Sequence, residues 1–390
     1  GIGLYALSTN TTAAENTAVG AYSLSTNTTG TKNTAIGKGS LQTNSTANNN
    51  TAVGYNALIE NTTGFQNSAV GSEALTKNTT ASNNTAMGVA ALACNTTGSN
   101  LTAVGTQALQ TNTTGATNVA MGCKAMFCNT TGSINVGIGN LALFSNTTGA
   151  GNTAVGTCAL NSSTTGAENA AVGRDALKSG TTGAQNVGMG TCALFTNTTG
   201  ANNTSFGNYS LKLNTTGNSN VAVGYAALCK VTGVGSTNTA LGDNAGNAIT
   251  TGCYNTMIGH GTDPSSATSI FELVLGHGGT GKGSATMFVS NVANGVFNTA
   301  NATAWTQTSD RRIKKNIVNN NTGLNQLNQI QVRDFEYRTK DEVTDFENVE
   351  TAYVDKSGVQ IGVIAQEIEA IFPEMVTTQS TGVKTFNPDK

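Results

Sequence analysis

Apolar residues fall along most of this chain in a fixed phase that is not the rhythm of an amphipathic helix. Ala18, Val19 and Leu24 are followed by Ala35, Ile36 and Leu41, and these by Ala52, Val53 and Leu58. A glycine closes each apolar pair and recurs every seventeen residues from Gly3 to Gly224; after a one-residue slip the series resumes at Gly242, Gly259 and Gly276. In one such unit the spacing predicts two short strand-like pieces, around Thr51 to Val53 and Tyr55 to Leu58, and then a polar turn, Asn61-Thr62-Thr63-Gly64. Both pieces are too short for helices, and the β-branched, glycine and asparagine content argues against helix throughout. Neither piece can bury an apolar face alone, but units stacked on one another can, which is the logic of a solenoid. Gly54 reads as a corner or close backbone approach, and Gly64 as the positive-φ position of the turn.

Stacking places identical side chains in columns. One contains Asn10, Asn27, Asn44, Asn61 and their successors to Asn146; another runs from Asn33 to Asn169, broken at Leu101. Amides stacked in this way can satisfy one another along the axis. With one rung per unit the rod would be roughly 75 Å long. Only about four apolar side chains load each unit, so three parallel chains sharing an apolar axis would complete the core, with a lone solenoid as the alternative. The fold class expected is thus an all-β repetitive solenoid or β-roll shaft of 17-residue units followed by a small α+β C-terminal domain.

Composition narrows the function. Charged residues are 10% of the chain, against about 25% in ordinary soluble domains. Residues 1–300 carry nine Lys/Arg and eight Asp/Glu, so no basic face for nucleic acid is expected; residues 301–390 carry ten and thirteen and look like a conventional domain. Low charge could indicate disorder, but a disordered tract has no reason to hold an apolar phase. No run of eighteen apolar residues exists, and no membrane insertion is expected. The first residue is glycine rather than methionine, so a processed product or a fragment is expected, and secretion stays undecided.

The seven cysteines, at 94, 123, 128, 158, 192, 229 and 253, form no CxxC and read as small apolar fillers. His260 and His277, seventeen apart, can stack one above the other; no metal or cofactor is expected. The Asn-Thr-Thr turns match the N-glycosylation pattern, although ladder chemistry explains them as well. Adjacent threonines in extended backbone would face opposite ways, which argues against an ice-binding face.

The period is lost from Gly278 to Thr308, a stretch that reads as a neck with Trp305 packed in it. The expected divisions are a shaft over 1–278, a neck over 279–309 and a C-terminal domain over 310–390. In that domain Ser309 to Ile317 forms a cationic turn leading into a strand or short helix. Val332, Phe335 and Tyr337 fit a strand. Val359 to Glu367 reads as a buried strand running into a helix, Gln366 to Ile371, that Phe372-Pro373 ends.

Two resemblances follow from these residues. The repeated Asn-Thr-Ala-Val-Gly units resemble the head repeats of trimeric surface adhesins and the shafts of viral and phage fibres. More specifically, Ser309-Asp310-Arg311-Arg312-Ile313-Lys314-Lys315-Asn316-Ile317, then Phe335 to Arg338, then Ile361 to Val376 resemble the endosialidase-type intramolecular chaperone, or peptidase S74, family. The resemblance implies a domain that assembles three chains and then releases itself by autoproteolysis at the serine–aspartate motif. It implies Ser309 as nucleophile, Lys314 as its activating base, and Asp310 as the residue just after the scissile bond. A lysine can act so only with a lowered pKa, towards which Arg311, Arg312 and Lys315 could push. The family usually continues into long clamping helices, whereas this sequence stops at Lys390, so either the chain is truncated or the clamp is shorter.

The expected function is a structural homotrimeric fibre, a viral or phage tail fibre, with its C-terminal domain setting the register of two further copies before leaving. The location would be a virion tail or an extracellular surface, with a host-surface receptor or glycan as partner. The alternatives are a cellular adhesin or extracellular filament with the same two parts, and the shaft of a glycan-processing tailspike. For the last, acids such as Glu60, Glu73 and Asp175 are too scattered to form a carboxylate pair in a cleft.

Overall fold

A computed structural model describes residues 1–291, 294–298, 323–343, 354, 356–378 and 382–386. The chain divides into two compact units, Gly1–Thr308 and Ser309–Lys390. The first unit is an all-β solenoid. Its strands are three residues long, beginning with β1 (Thr17–Val19) and β2 (Thr34–Ile36), and each pairs in parallel with the strand one unit on. The register is that of the repeat: Thr17 faces Thr34, Ala18 faces Ala35 and Val19 faces Ile36. The sheet runs on past the last full-period unit. The strand Leu273–His277 pairs in parallel with β17 (Met287–Asn291), and β18 (Asn294–Asn298) folds back antiparallel against β17.

The unit Thr51–Asn67 shows how each rung is made. Thr51–Val53 is a strand, β3, with Ala52 fully buried. The second strand expected at Tyr55 to Leu58 is absent: Gly54 to Glu60 is a turn in which Asn56 (φ 54°) and Leu58 (φ 52°) are left-handed. Gln66 is a third such residue (φ 55°). Non-glycine residues in this region cost about 1 kcal/mol or more each, so three of them oppose most of what burying one leucine supplies, about 1.5–3 kcal/mol. The neighbouring rungs hold them there. Asn56 donates its N–H to the Lys38 carbonyl on one side (3.0 Å), Leu58 to the Ala74 carbonyl on the other (3.0 Å), and Gln66 to the Asn48 carbonyl (3.2 Å). A rung therefore takes this conformation only between its neighbours.

The core lies inside the single chain. Ala52, Ala57 and Leu58 are fully buried, and the same three positions repeat up the stack to form one continuous apolar cluster. A solitary chain thus has more core than its sequence implied, because one leucine and two alanines per rung suffice once every rung is covered above and below. Val53 and its equivalents, also apolar in every unit, instead face outwards. The cysteines do not fill the core either: Cys123 is exposed, the other six are half-buried, and all are free. His260 and His277 stack as their spacing predicts, with ring centroids 4.9 Å apart.

Both asparagine columns form. Asn61 donates through Nδ2 to Asn44 Oδ1 (3.0 Å) and to the Gly64 carbonyl (2.9 Å). In the second column the Asn50 backbone N–H donates to Asn33 Oδ1 (3.0 Å), while Asn50 Nδ2 reaches the same Gly64 carbonyl (2.8 Å). That crowding explains Gly64. Its φ is not positive, contrary to expectation; instead a Cβ there would lie 2.3 Å from the Ala81 carbonyl oxygen and 2.5 Å from Asn61 Oδ1. Gly54 has both constraints, a φ of 141° and a Cβ position 2.4 Å from the Gly71 carbonyl oxygen. Where Ser163 and then Gly180 replace asparagine the first column is interrupted and Asn146 Oδ1 is left without a partner; it resumes where Asn214 donates to Asn197 Oδ1 (2.8 Å). The second column ends in Glu272, whose buried carboxylate accepts the N–H of Ser265 (2.7 Å) and of Gly283 (2.8 Å).

The single eighteen-residue unit leaves the sheet intact. Val221 still faces Thr239, and the extra residue is taken up on the opposite side of the coil, in the turn Val231 to Gly235, where Gly233 has φ 42°.

Candidate functional site in the C-terminal unit

The second unit is a small α+β assembly. β19 (Arg333–Phe335) and β20 (Gln360–Gly362) are strands where the Phe335 and Ile361 motifs predict them, and the two pair antiparallel. The chain then enters α2 (Ala365–Glu369), which follows the short α1 (Leu324–Leu327) in chain order, and passes Pro373–Met375 into a hairpin of β21 (Val376–Thr378) and β22 (Lys384–Phe386). β20 is not the buried strand its apolar run suggests, since Ile361 is 77% exposed. It belongs to a two-stranded sheet, and among the described residues that face is left open. Among the described residues of this unit Ile368, on α2, is the one buried apolar side chain.

Charge pairs tie the elements together. Arg333 on β19 grips Glu367 on α2 with both ends of its guanidinium, at 2.9 and 3.3 Å. That carboxylate raises the arginine pKa by accepting its hydrogen bonds and by charge attraction. Lys384 on β22 pairs with Glu369, so two acids of one helix anchor two different strands. Gln326 donates to the Ile371 carbonyl (3.3 Å) and links α1 to the end of α2. At Thr339 the backbone N–H donates to Glu342 (2.8 Å), which holds the Glu342 carboxyl below its usual range.

Beside β19 lies a cavity of about 470 Å³, lined among others by Tyr337, Arg338, Lys340, Asp341 and Lys356. Its wall carries charges of both signs. The expected nucleophile Ser309, the base Lys314 and Asp310 of the scissile bond lie outside the described residues, as does Trp305. What the structure does bring together are the second and third motifs: Phe335 to Arg338 begins on β19, and Ile361 to Val376 runs from β20 through α2.

Residues 309–377 match the peptidase S74 family, described as the chaperone of endosialidase. No curated protein matches the chain. A chaperone-of-endosialidase-like domain therefore follows a β-solenoid, and the protein is a solenoid fibre protein with a C-terminal domain of that type. That family is associated with autoproteolysis. The matched segment begins at Ser309, where the second compact unit also begins.

The solenoid itself has few places for chemistry. Among the described residues no group of three or more His, Cys, Asp or Glu side chains could hold a metal ion, and no helix is long and apolar enough to cross a membrane. The Asn-Thr-Thr asparagines such as Asn61 and Asn78 are fully buried with Nδ2 committed to two acceptors, so in the folded stack they present no glycan acceptor. The paired threonines divide as well: Thr62 is half-buried and donates through Oγ1 to the Thr79 carbonyl (3.0 Å), while Thr63 is exposed. Sequence reasoning missed the outward-facing strand position, although its signal was present in the unbroken run of apolar residues directly before each glycine.

Proposed function

We propose that this protein is the shaft and assembly domain of a homotrimeric fibre, of the kind carried by virions, and that residues 310–390 register three chains and then leave by hydrolysis of the Ser309–Asp310 bond. The divisions are a shaft over 1–278, a neck over 279–309 and the releasable domain. The observation that carries this reading is the match over 309–377 directly after a repetitive solenoid.

The repeat supplies the need for such a domain. Sliding one chain past another by a rung leaves nearly every contact chemically equivalent, so the shaft specifies register weakly and misregistered assemblies become low-energy traps. An end domain that associates first fixes the start. Its removal leaves the rod trapped, since re-registration would require extensive unstacking. The chemistry available from residue 309 onwards fits the serine–lysine reading: that segment contains neither cysteine nor histidine. A hydroxyl with a lysine base is then the natural pair for acyl transfer.

Expression of the full chain should yield fragments of residues 1–309 and 310–390, read by intact mass. Ser309→Ala and Lys314→Ala should each leave the chain whole. A wild-type chain that stays uncut after three chains have assembled would overturn the self-release part of this proposal.

A further inference from the structure

The outer face of the solenoid sheet combines two properties that a free surface does not maintain. In each three-residue strand the middle residue points into the core, while the first and third point out. The third position is Val, Ile, Leu, Met or Phe in every one of the seventeen parallel strands, from Val19 to Val289. Its side chains are exposed, as at Met87 (47%) and Leu241 (49%), or half-buried, as at Val53 and Val104. The first position, two residues away and on the same face, is threonine, serine or an apolar residue throughout, and neither column carries a single charge over seventeen rungs.

The next position past the glycine is also solvent-facing and behaves differently. It drifts from Lys38 through Tyr55, Ser72, Thr106 and Cys123 to Asn140, Arg174 and Asp243. Exposure alone therefore does not enforce apolar character in this rod. One face has been held uncharged, with one column of it apolar rung after rung, while its neighbour has been free to vary.

The size of the face fits a specific contact. Seventeen rungs at about 4.8 Å make a strip about 80 Å long. At about 10 Å wide the strip offers on the order of 800 Å² per chain, what a stable interface takes from each partner and more than a monomeric surface ordinarily leaves uncovered. Its repeat also selects the occupant. A partner that meets each aliphatic ridge must itself present a ridge at every strand spacing over the whole length, and a second copy of this solenoid does so.

We infer that this sheet face is where shafts pack on one another: the columns Val19 to Val289 and Thr17 to Met287 meet the same columns of two further copies, side by side and parallel. The inference rests on the trimeric fibre proposed above, and adds to it the face that lies on the common axis. Parallel alignment follows because the C-terminal domains must gather at one end.

The test uses the full chain with its seven cysteines replaced by serine and one new cysteine in mid-shaft. Ile138→Cys lies on the packing face, and Asn140→Cys, two residues on, lies on the drifting one. Mild oxidation should cross-link up to about two thirds of Ile138→Cys chains into pairs, as expected for three equivalent sites at one axis, and leave Asn140→Cys chains single. In a second arm, Met121→Lys, Ile138→Lys and Val155→Lys are combined; circular dichroism should still report β structure, while the shaft cross-link from a cysteine at Val172 disappears. Equal cross-linking at 138 and 140, or a three-chain particle without any cross-link at 138, overturns this face while fragment masses still report cleavage. A wild-type particle containing one chain overturns both readings.

Discussion

The two units of this protein bury apolar surface in opposite ways. In the solenoid a typical rung contributes two alanines and a leucine to one continuous core, with Ser23, Met126 or Gly188 standing in for one of them in other rungs, and each rung is finished by the rungs above and below. In the C-terminal unit Ile368 alone is buried among the described apolar residues, and Val332, Val359 and Ile361 stand exposed at 66%, 63% and 77%. The solenoid is stabilised by its own sequence neighbours, seventeen residues away. The described residues of the C-terminal unit leave several large apolar side chains uncovered. The difference is one of source: a solenoid rung takes its cover from the rungs beside it, whereas the described part of the C-terminal unit takes little cover from itself.

Substitutions sharpen or break this contrast, and glycine gives the largest effect. Gly54→Ala sets a Cβ 2.4 Å from the next rung's carbonyl oxygen at φ 141° and should cost at least about 3 kcal/mol. Gly323→Ala, in the second unit, meets no atom within 4 Å and should stay within about 0.5 kcal/mol. Denaturant titration of both variants checks the pair. Similar losses at the two sites would erase the distinction between a stack with no slack and a loosely covered domain.

The asparagine column should come next. Asn129→Ala removes bonds to Asn112 Oδ1 (2.7 Å) and to the Gly132 carbonyl (3.0 Å), and strips Asn146 Nδ2 of one of its two acceptors (2.8 Å). Leaving buried amides unpaired should cost about 2–4 kcal/mol, seen as a lower unfolding midpoint. By contrast, Arg333→Ala breaks an exposed pair with Glu367 in the C-terminal unit. Solvent screens such pairs, and the unfolding midpoint should barely move.

The smallest effect depends on pH. Partial burial raises the Asp263 carboxyl above its ordinary 3.8, against the pull of the Ala248 N–H and of Lys230. The folded chain then holds this proton more tightly than the unfolded chain, so the associated stability is present below pH 3.8 and falls as pH rises through the folded pKa. Asp263→Asn keeps an oxygen for Ala248 and removes the charge. The variant should be slightly more stable than wild type above that window and equal to it below, by thermal melts across pH. A gain that persists at low pH would show that ionisation is not its source.

Much of the solenoid could be read from the chain. The glycine period gave the rung, the asparagine spacing gave the ladders, and the histidine pair gave a stack, because one period applied to all three. The turn from Gly54 to Glu60 was not legible as such. Tyr55 to Leu58 looks like extended chain, and left-handed φ at Asn56 and Leu58 is imposed by carbonyls in other rungs, which no local propensity encodes. A trace existed in Gly39, Gly246 and Gly261, which fall at these same left-handed positions. In the C-terminal unit the three motifs were readable, and β19, β20 and α2 appear where two of them predict. Exposure of Ile361 was not, since an apolar run looks alike whether its cover comes from the same chain or from another. The Ser309 and Lys314 assignment rests on the motif itself.

The eighteen-residue unit shows where such a rod can be edited. Because Val231 to Gly235 absorbs the added residue and Val221 still meets Thr239, extra length at that bend never reaches the ladder. Bends of this kind are attachment points: a loop or a small ligand-recognising module inserted there would hang from the flank at a known height. The filament could thus be decorated without losing count of its own storeys.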